Sequence, residues 1–248
     1  MGQKEKNKID EDLLIRMRDR EEKSKIDEEK ALQRLQEMEI INYEKAKEVC
    51  RKKVTNIYTP GFLFHTTDAR WTIKQIARFY KTGILPQEMI KKGTDRWSHS
   101  PNRISLYMYI AKIIPPFWGV GTIAFLINPQ FVAENKKQFI FFTELNKRDP
   151  LYSRANHLEF EKMHQQFIQI CRKIGLKEEP GPGPGGSFNF EVLSDQPIPF
   201  QAIYGGIILD EDFENRIKLF MMKLIKKHPE LAFPLYDKKG NINWPEDL

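Results

Sequence analysis

The sequence predicts an α+β domain preceded by a helical extension, and three observations carry that reading. The chain has 248 residues, 40% apolar and 12% aromatic, enough to bury one substantial core. Short β-branched and aromatic runs are mixed with helical stripes but do not alternate as regular βαβ units, which argues against a doubly wound parallel sheet. From Asp10 to about Val49 there is no Gly or Pro, and Glu, Lys, Arg, Leu and Gln dominate, as in long exposed helices.

Within this extension Leu32, Leu35, Met38, Ile41, Ala46 and Val49 recur at three-to-four spacing, whereas 18–25 is charged all round. Arg51-Lys52-Lys53 and the Thr59-Pro60-Gly61 turn end the helical pattern. The boundary therefore falls between an extension, 1–53, and a main domain, 54–248. Phe62-Leu63-Phe64 opens the domain as a strand, His65-Thr66-Thr67 follows as a polar turn, and Ile73, Ile76, Ala77 and Tyr80 mark a helix from an Asp68 cap to a Gly83 stop.

Ile104 to Ile110, Thr122 to Ile127 and Phe139 to Thr143 read as strands. A helix runs from about Asn156 to Gly175, with Phe160, Met163, Phe167, Ile170, Cys171 and Ile174 on one face. After the Pro/Gly-rich loop come strands Phe188 to Leu193 and Ile203 to Leu209. A last helix opens at Asp210 and closes with Lys226-Lys227. The tail from Glu230 reads as surface coil. There is no repeat of solenoid length.

Net charge is +6 and the first fifty residues are slightly acidic, so the rest is more basic than the whole. Such a surface suits a polyanionic partner, DNA or RNA, as well as ordinary solubility. The absence of any long apolar run predicts no membrane span. The charged N-terminus and the unpaired Cys50 and Cys171 lead us to expect a reduced, cytoplasmic setting.

Several chemistries lack their pattern. Gly119-Val120-Gly121 runs into a strand and has no third glycine, so it is not a dinucleotide fingerprint. There is neither a phosphate-cradling lysine loop nor a serine elbow. His157 and His164 are two turns apart, the wrong spacing for one zinc, and no metal is expected. What remains is the polar turn at His65 and a lone carboxylate, Glu191, two residues after Asn189. On a strand those two positions share a face and could present an amide and a carboxylate together. A carboxylate so placed can hold a ribose hydroxyl and stabilise an oxocarbenium-like cation.

The ordered combination of Phe64-His65-Thr66-Thr67, Lys81-Thr82-Gly83-Ile84-Leu85-Pro86, Phe190-Glu191-Val192-Leu193 and Ile203-Tyr204-Gly205-Gly206-Ile207 resembles the ADP-ribosyltransferase superfamily. Ile104-Ser105-Leu106-Tyr107-Met108-Tyr109 and Phe139-Ile140-Phe141-Phe142-Thr143-Glu144 make it most similar to the DarT-like branch, toxins that modify nucleic-acid bases. The resemblance spans about 61–210. It implies a split, mixed or antiparallel sheet core with flanking helices, NAD as the ADP-ribose donor, a nucleic-acid acceptor, and room for a neutralising protein partner.

By that resemblance Glu191 would be the catalytic carboxylate. His65 would bind a ribose of NAD, Thr66 would offer main-chain contacts to nicotinamide, and Thr67 would support the turn. Tyr107 would stack on nicotinamide, with Tyr109 the competing choice, and Arg103 would meet the pyrophosphate. The loop at 176–188 would help choose the acceptor. Two departures stand out: Asn189 replaces the Gln or Glu that protein-modifying members often carry, and no Arg-Ser-Pro run follows the aromatic strand. The alternatives are a protein acceptor, or a binding protein of the same fold without activity.

Overall fold

A computed structural model describes residues 25–33, 40–67, 80–85, 102–110, 121–148, 152, 156–183, 189–246 and 248. Most of the helix expected after Asp68 therefore lies outside the described residues, as do the Pro115-Pro116 segment and positions 184–188.

The described part is α+β, and one mixed sheet organises it. The strands are β1 (Leu63–Thr67), β2 (Ile104–Met108), β3 (Ile123–Ile127), β4 (Phe139–Phe142), β5 (Lys177–Glu179), β6 (Glu191–Ser194), β7 (Ile203–Ile208), β8 (Leu235–Tyr236) and β9 (Ile242–Trp244). Their order is β5-β4-β6-β2-β1-β3-β7-β8-β9. Pairing is antiparallel except at β4/β5 and β7/β8. The split expected in the sheet is absent among these strands, because hydrogen bonding runs through all nine, with a register shift between β3 and β7 at Leu126/Ile127.

Residues 25–33 are helical, and the α-helices with both ends described are α1 (Ile40–Lys53), α2 (Pro129–Glu134), α3 (His157–Ile174) and α4 (Glu214–Ile225). α3 begins where Asn156 accepts from the backbone N–H of Leu158 at 3.1 Å and ends at Gly175, whose φ of 82° is the left-handed conformation glycine adopts without cost. Its buried stripe, Phe160, His164, Phe167, Ile168 and Cys171, meets the sheet face that carries Ile104, Leu106, Phe139, Phe141 and Val192. α4 buries Ile217, Phe220, Met221 and Leu224 in the same core. No described helix is long and apolar enough to cross a membrane.

The opposite face is covered by a smaller core of Ile57, Phe64, Ala124, Leu126, Ile207, Leu209 and Tyr236. Strand alternation makes this two-sided arrangement, since successive residues of β1 and β3 feed opposite cores.

Four expectations need correction. The polar turn expected at His65-Thr66-Thr67 is the second half of β1, because these three residues pair with Phe125, Ala124 and Ile123 of β3. The tail is not coil: Leu235–Tyr236 and Ile242–Trp244 add two strands, with Trp244 and Tyr236 almost wholly buried. Residues 177–179, expected in the loop, form β5 beside β4. The glutamate strand starts at Glu191, not at Phe188, because Asn189 and Phe190 form a turn. α1 ends at Lys53, as the charge run suggests, yet Ala46 and Cys50 are sealed in the main core. The second half of the extension thus packs with the domain it precedes.

Candidate active site

The site is built by three adjacent strands. β2 lies between β6 and β1, and its register sets Tyr107 directly opposite Glu191 and next to Phe64 on the other side. Directly opposed residues of an antiparallel pair project to the same face, so Tyr107, Glu191 and Phe64 share one. Ser105, two residues before Tyr107, projects there too. Its hydroxyl donates to Glu191 Oε1. Ser105 is the functional candidate that sequence reading missed; the available signal was its i, i+2 spacing from Tyr107, but only the β2/β6 register shows that it meets the carboxylate.

The same register separates His65 from this group. His65 pairs with Phe125 and Thr67 with Ile123, both main-core residues, whereas Thr66 pairs with Ala124 of the smaller core. Alternation therefore sends Thr66 to the Glu191 face and His65 and Thr67 to the other. His65 thus projects to the side of the sheet opposite Tyr107 and Glu191.

His65 is nevertheless joined to the site through the backbone. Its Nδ1–H donates to the Ser105 carbonyl at 3.0 Å. Burial lowers its pKa below the ordinary histidine value, more than that hydrogen bond raises it, so the ring is neutral at pH 7 and Nε2 is its acceptor nitrogen. The two bonds make a relay of positions: imidazole to Ser105 backbone, Ser105 hydroxyl to Glu191.

Arg103 lies in the bend that precedes β2. It lies 3.9 Å from Glu179, itself 3.1 Å from Lys177. The guanidinium expected at a pyrophosphate is thus already beside a carboxylate. Asn189 is likewise committed elsewhere. Its side-chain oxygen accepts from the Asn146 N–H at 2.6 Å and its amide donates to the Asn146 carbonyl at 3.0 Å, which pins the turn before β6. The amide-and-carboxylate pair expected at 189 and 191 is replaced by a hydroxyl-and-carboxylate pair at 105 and 191, because β6 begins only at Glu191.

Of the loop expected at 176–188 to select an acceptor, 176–183 are described: Lys177–Glu179 are β5, and the Gly181 carbonyl accepts from the Glu144 N–H at 3.1 Å. Cys50 and Cys171 are free, buried thiols; burial pushes Cys50 up to about 12 and Cys171 well above the ordinary value, so neither is a thiolate nucleophile at pH 7. No protein-family model matches this chain, and no curated protein matches its sequence.

Proposed function

We propose that this chain is an ADP-ribosyltransferase that moves ADP-ribose from NAD to a nucleic-acid base. The observation that carries the reading is the Ser105–Glu191–Tyr107 cluster: a carboxylate held by a hydroxyl, with an aromatic ring directly opposite on the next strand. Supporting it, the three segments of the resemblance centred on residues 65, 107 and 191 lie on the adjacent strands β1, β2 and β6.

Glu191 would accept from the 2′-hydroxyl of the nicotinamide ribose, and its negative charge would stabilise the cation that develops as the C1′–N bond breaks. Nicotinamide leaves with the bonding electron pair. A ring or amino nitrogen of the acceptor base then supplies the pair for the new C1′–N bond, and its displaced proton passes to water. Ser105 keeps the carboxylate in one orientation, so that little reorganisation is needed during bond breaking. Tyr107 offers a flat apolar surface to the nicotinamide ring. His65 acts one step away, by holding the β2 backbone at Ser105.

The test is nicotinamide release from NAD in the presence of single-stranded DNA or RNA. Glu191→Gln keeps size and polarity but removes the charge, and is expected to cut the rate by about 10²–10³-fold. An unchanged rate would remove Glu191 from the chemistry. Labelled NAD incubated with DNA, RNA and protein identifies the acceptor; label confined to protein would refute a nucleic-acid base.

A further inference from the structure

The sheet face that bears Glu191 continues beyond it as a row of half-buried aromatic rings. Tyr107 stands opposite Glu191, and Tyr109 lies two residues further on, about 7 Å along the strand direction. The backbone N–H of Tyr109 donates to the Phe62 carbonyl at 3.1 Å, which sets Phe62 beside it. The Tyr58 ring is centred 5.3 Å from that of Tyr109. All four residues rest on the smaller core and remain half-exposed.

The far end of the row is basic. The Tyr58 hydroxyl donates to the Lys238 carbonyl, and the Tyr204 hydroxyl donates to the Lys52 carbonyl at 3.2 Å. Lys238, Lys239, Arg51 and Lys52 are all exposed. Asp237, the acid next to Lys238, has its carboxylate taken up by the N–H of Lys239 and by the N–H and side-chain amide of Asn241, each at 2.8 Å. Burial pushes the Tyr58 hydroxyl up to about 12, so this ring carries no phenolate charge to repel an anion.

Half-exposed rings clustered at the end of β2 beside exposed cations suit a flexible polyanion with flat bases. Each ring takes a base face whatever its sequence, while the lysines meet phosphates. The exposed lysines and arginine beside the rings favour a polyanion as occupant, and a duplex keeps its bases stacked on one another.

We propose that the Tyr109, Phe62 and Tyr58 row, ending at Lys238 and Lys239, is the track along which a single-stranded nucleic acid reaches Glu191. Its bases stack on Tyr109 and Tyr58 and its phosphates lie against the lysines. This deepens the transferase reading and rests on it for the role of Glu191, but the binding can be measured without NAD.

The experiment is fluorescence anisotropy of the full chain with labelled 12-nucleotide single strands of DNA and of RNA, and with a duplex, over a range of salt, alongside nicotinamide release by each variant. Tyr109→Leu and Tyr58→Leu are expected to weaken single-strand binding roughly tenfold each, and Tyr109→Phe to retain it. Lys238→Glu with Lys239→Glu, both at exposed positions that do not enter the core, is expected to weaken binding and to lower the slope of log affinity against log salt by about 1–2. Wild-type affinity in Tyr109→Leu, an unchanged salt slope in the double variant, or equal affinity for the duplex would overturn the track. Absence of nicotinamide release from the unsubstituted chain, with binding still lost in Tyr109→Leu, would refute the transferase reading and leave the track standing.

Discussion

Ser105 and Glu191 form the pair on which the proposed chemistry turns, and the hydroxyl's contribution can be isolated. A hydrogen bond to a charged group is worth about 1.5–3 kcal/mol, so Ser105→Ala is expected to lower kcat for nicotinamide release about tenfold or more while KM for NAD changes little. A fall in affinity alone would assign Ser105 to binding instead of orientation. His164 makes a different residue-level prediction. It is almost fully buried between Phe167 and Phe190, and burial lowers its pKa from 6.5 to about 4; His65 is lowered for the same reason. With a depressed folded-state pKa, the unfolded chain takes up the proton first as pH falls. The contribution is therefore complete above about pH 6.5 and declines from there to about pH 4, by about 3 kcal/mol for His164. Urea midpoints between these pH values should fall less steeply in His164→Leu than in the parent chain, and equal slopes would contradict the burial argument.

At the scale of elements, the segment before the first loop is fastened to the segment after β6 by close backbone approach. Ile84 and Ile198 form a bridge with bonds of 2.8 and 3.0 Å. Gly83 sits just before it with φ of 67°, and a Cβ there would lie 2.2 Å from the Ile198 carbonyl oxygen. A methyl group cannot be accommodated unless the bridge opens. Gly83→Ala is expected to destabilise by more than about 1 kcal/mol and to lower Tm by at least roughly 3 °C, measured by thermal melting. The signals that announce α3 work at this same scale: Asn156, the apolar stripe and Gly175 act within one stretch of chain. β5, β8 and β9 carry no comparable local signal. Lys177-Glu178-Glu179 has no strand composition and becomes a strand because β4 offers it an open edge. The two-residue β8 similarly exists through its pairing with β7 and β9.

For the whole molecule, the extension divides energetically within its own length. Residues 25–33 are held by polar contacts, Arg216 to Glu28 at 2.9 Å and Lys25 to Asp212 at 3.3 Å, and by the half-buried Leu32 against the edge of the main core. α1 by contrast places Ala46 and Cys50 in the main core, and Lys53 donates to the Ala232 carbonyl at 2.7 Å. A chain of residues 40–248 is therefore expected to fold with a loss of about 1–2 kcal/mol, exposed and half-exposed ion pairs being weak. A chain of residues 54–248 is expected to lose cooperative unfolding, because removing α1 uncovers the core. Circular dichroism melts of the two truncations decide this, and a stable 54–248 domain would show that α1 is dispensable.

The sequence by itself determined the α+β class, the start of β1, the positions of β2 to β4, β7, α3 and α4, and the end of α1 at Lys53, because periodicity, caps and Gly or Pro stops act over a few residues. It also singled out Glu191 and Tyr107 as residues of interest. Only the tertiary structure decided their company. Which residues share a face across three strands depends on register: because β6 starts at Glu191 and not at Phe188, Ser105 and not Asn189 is the polar neighbour of Glu191, while the parity of β1 turns His65 to the other side. Register is fixed by how the two cores fill, Phe64 and Leu126 on one side and Leu63 and Phe125 on the other. Those contacts join residues some sixty positions apart, beyond the reach of any local pattern.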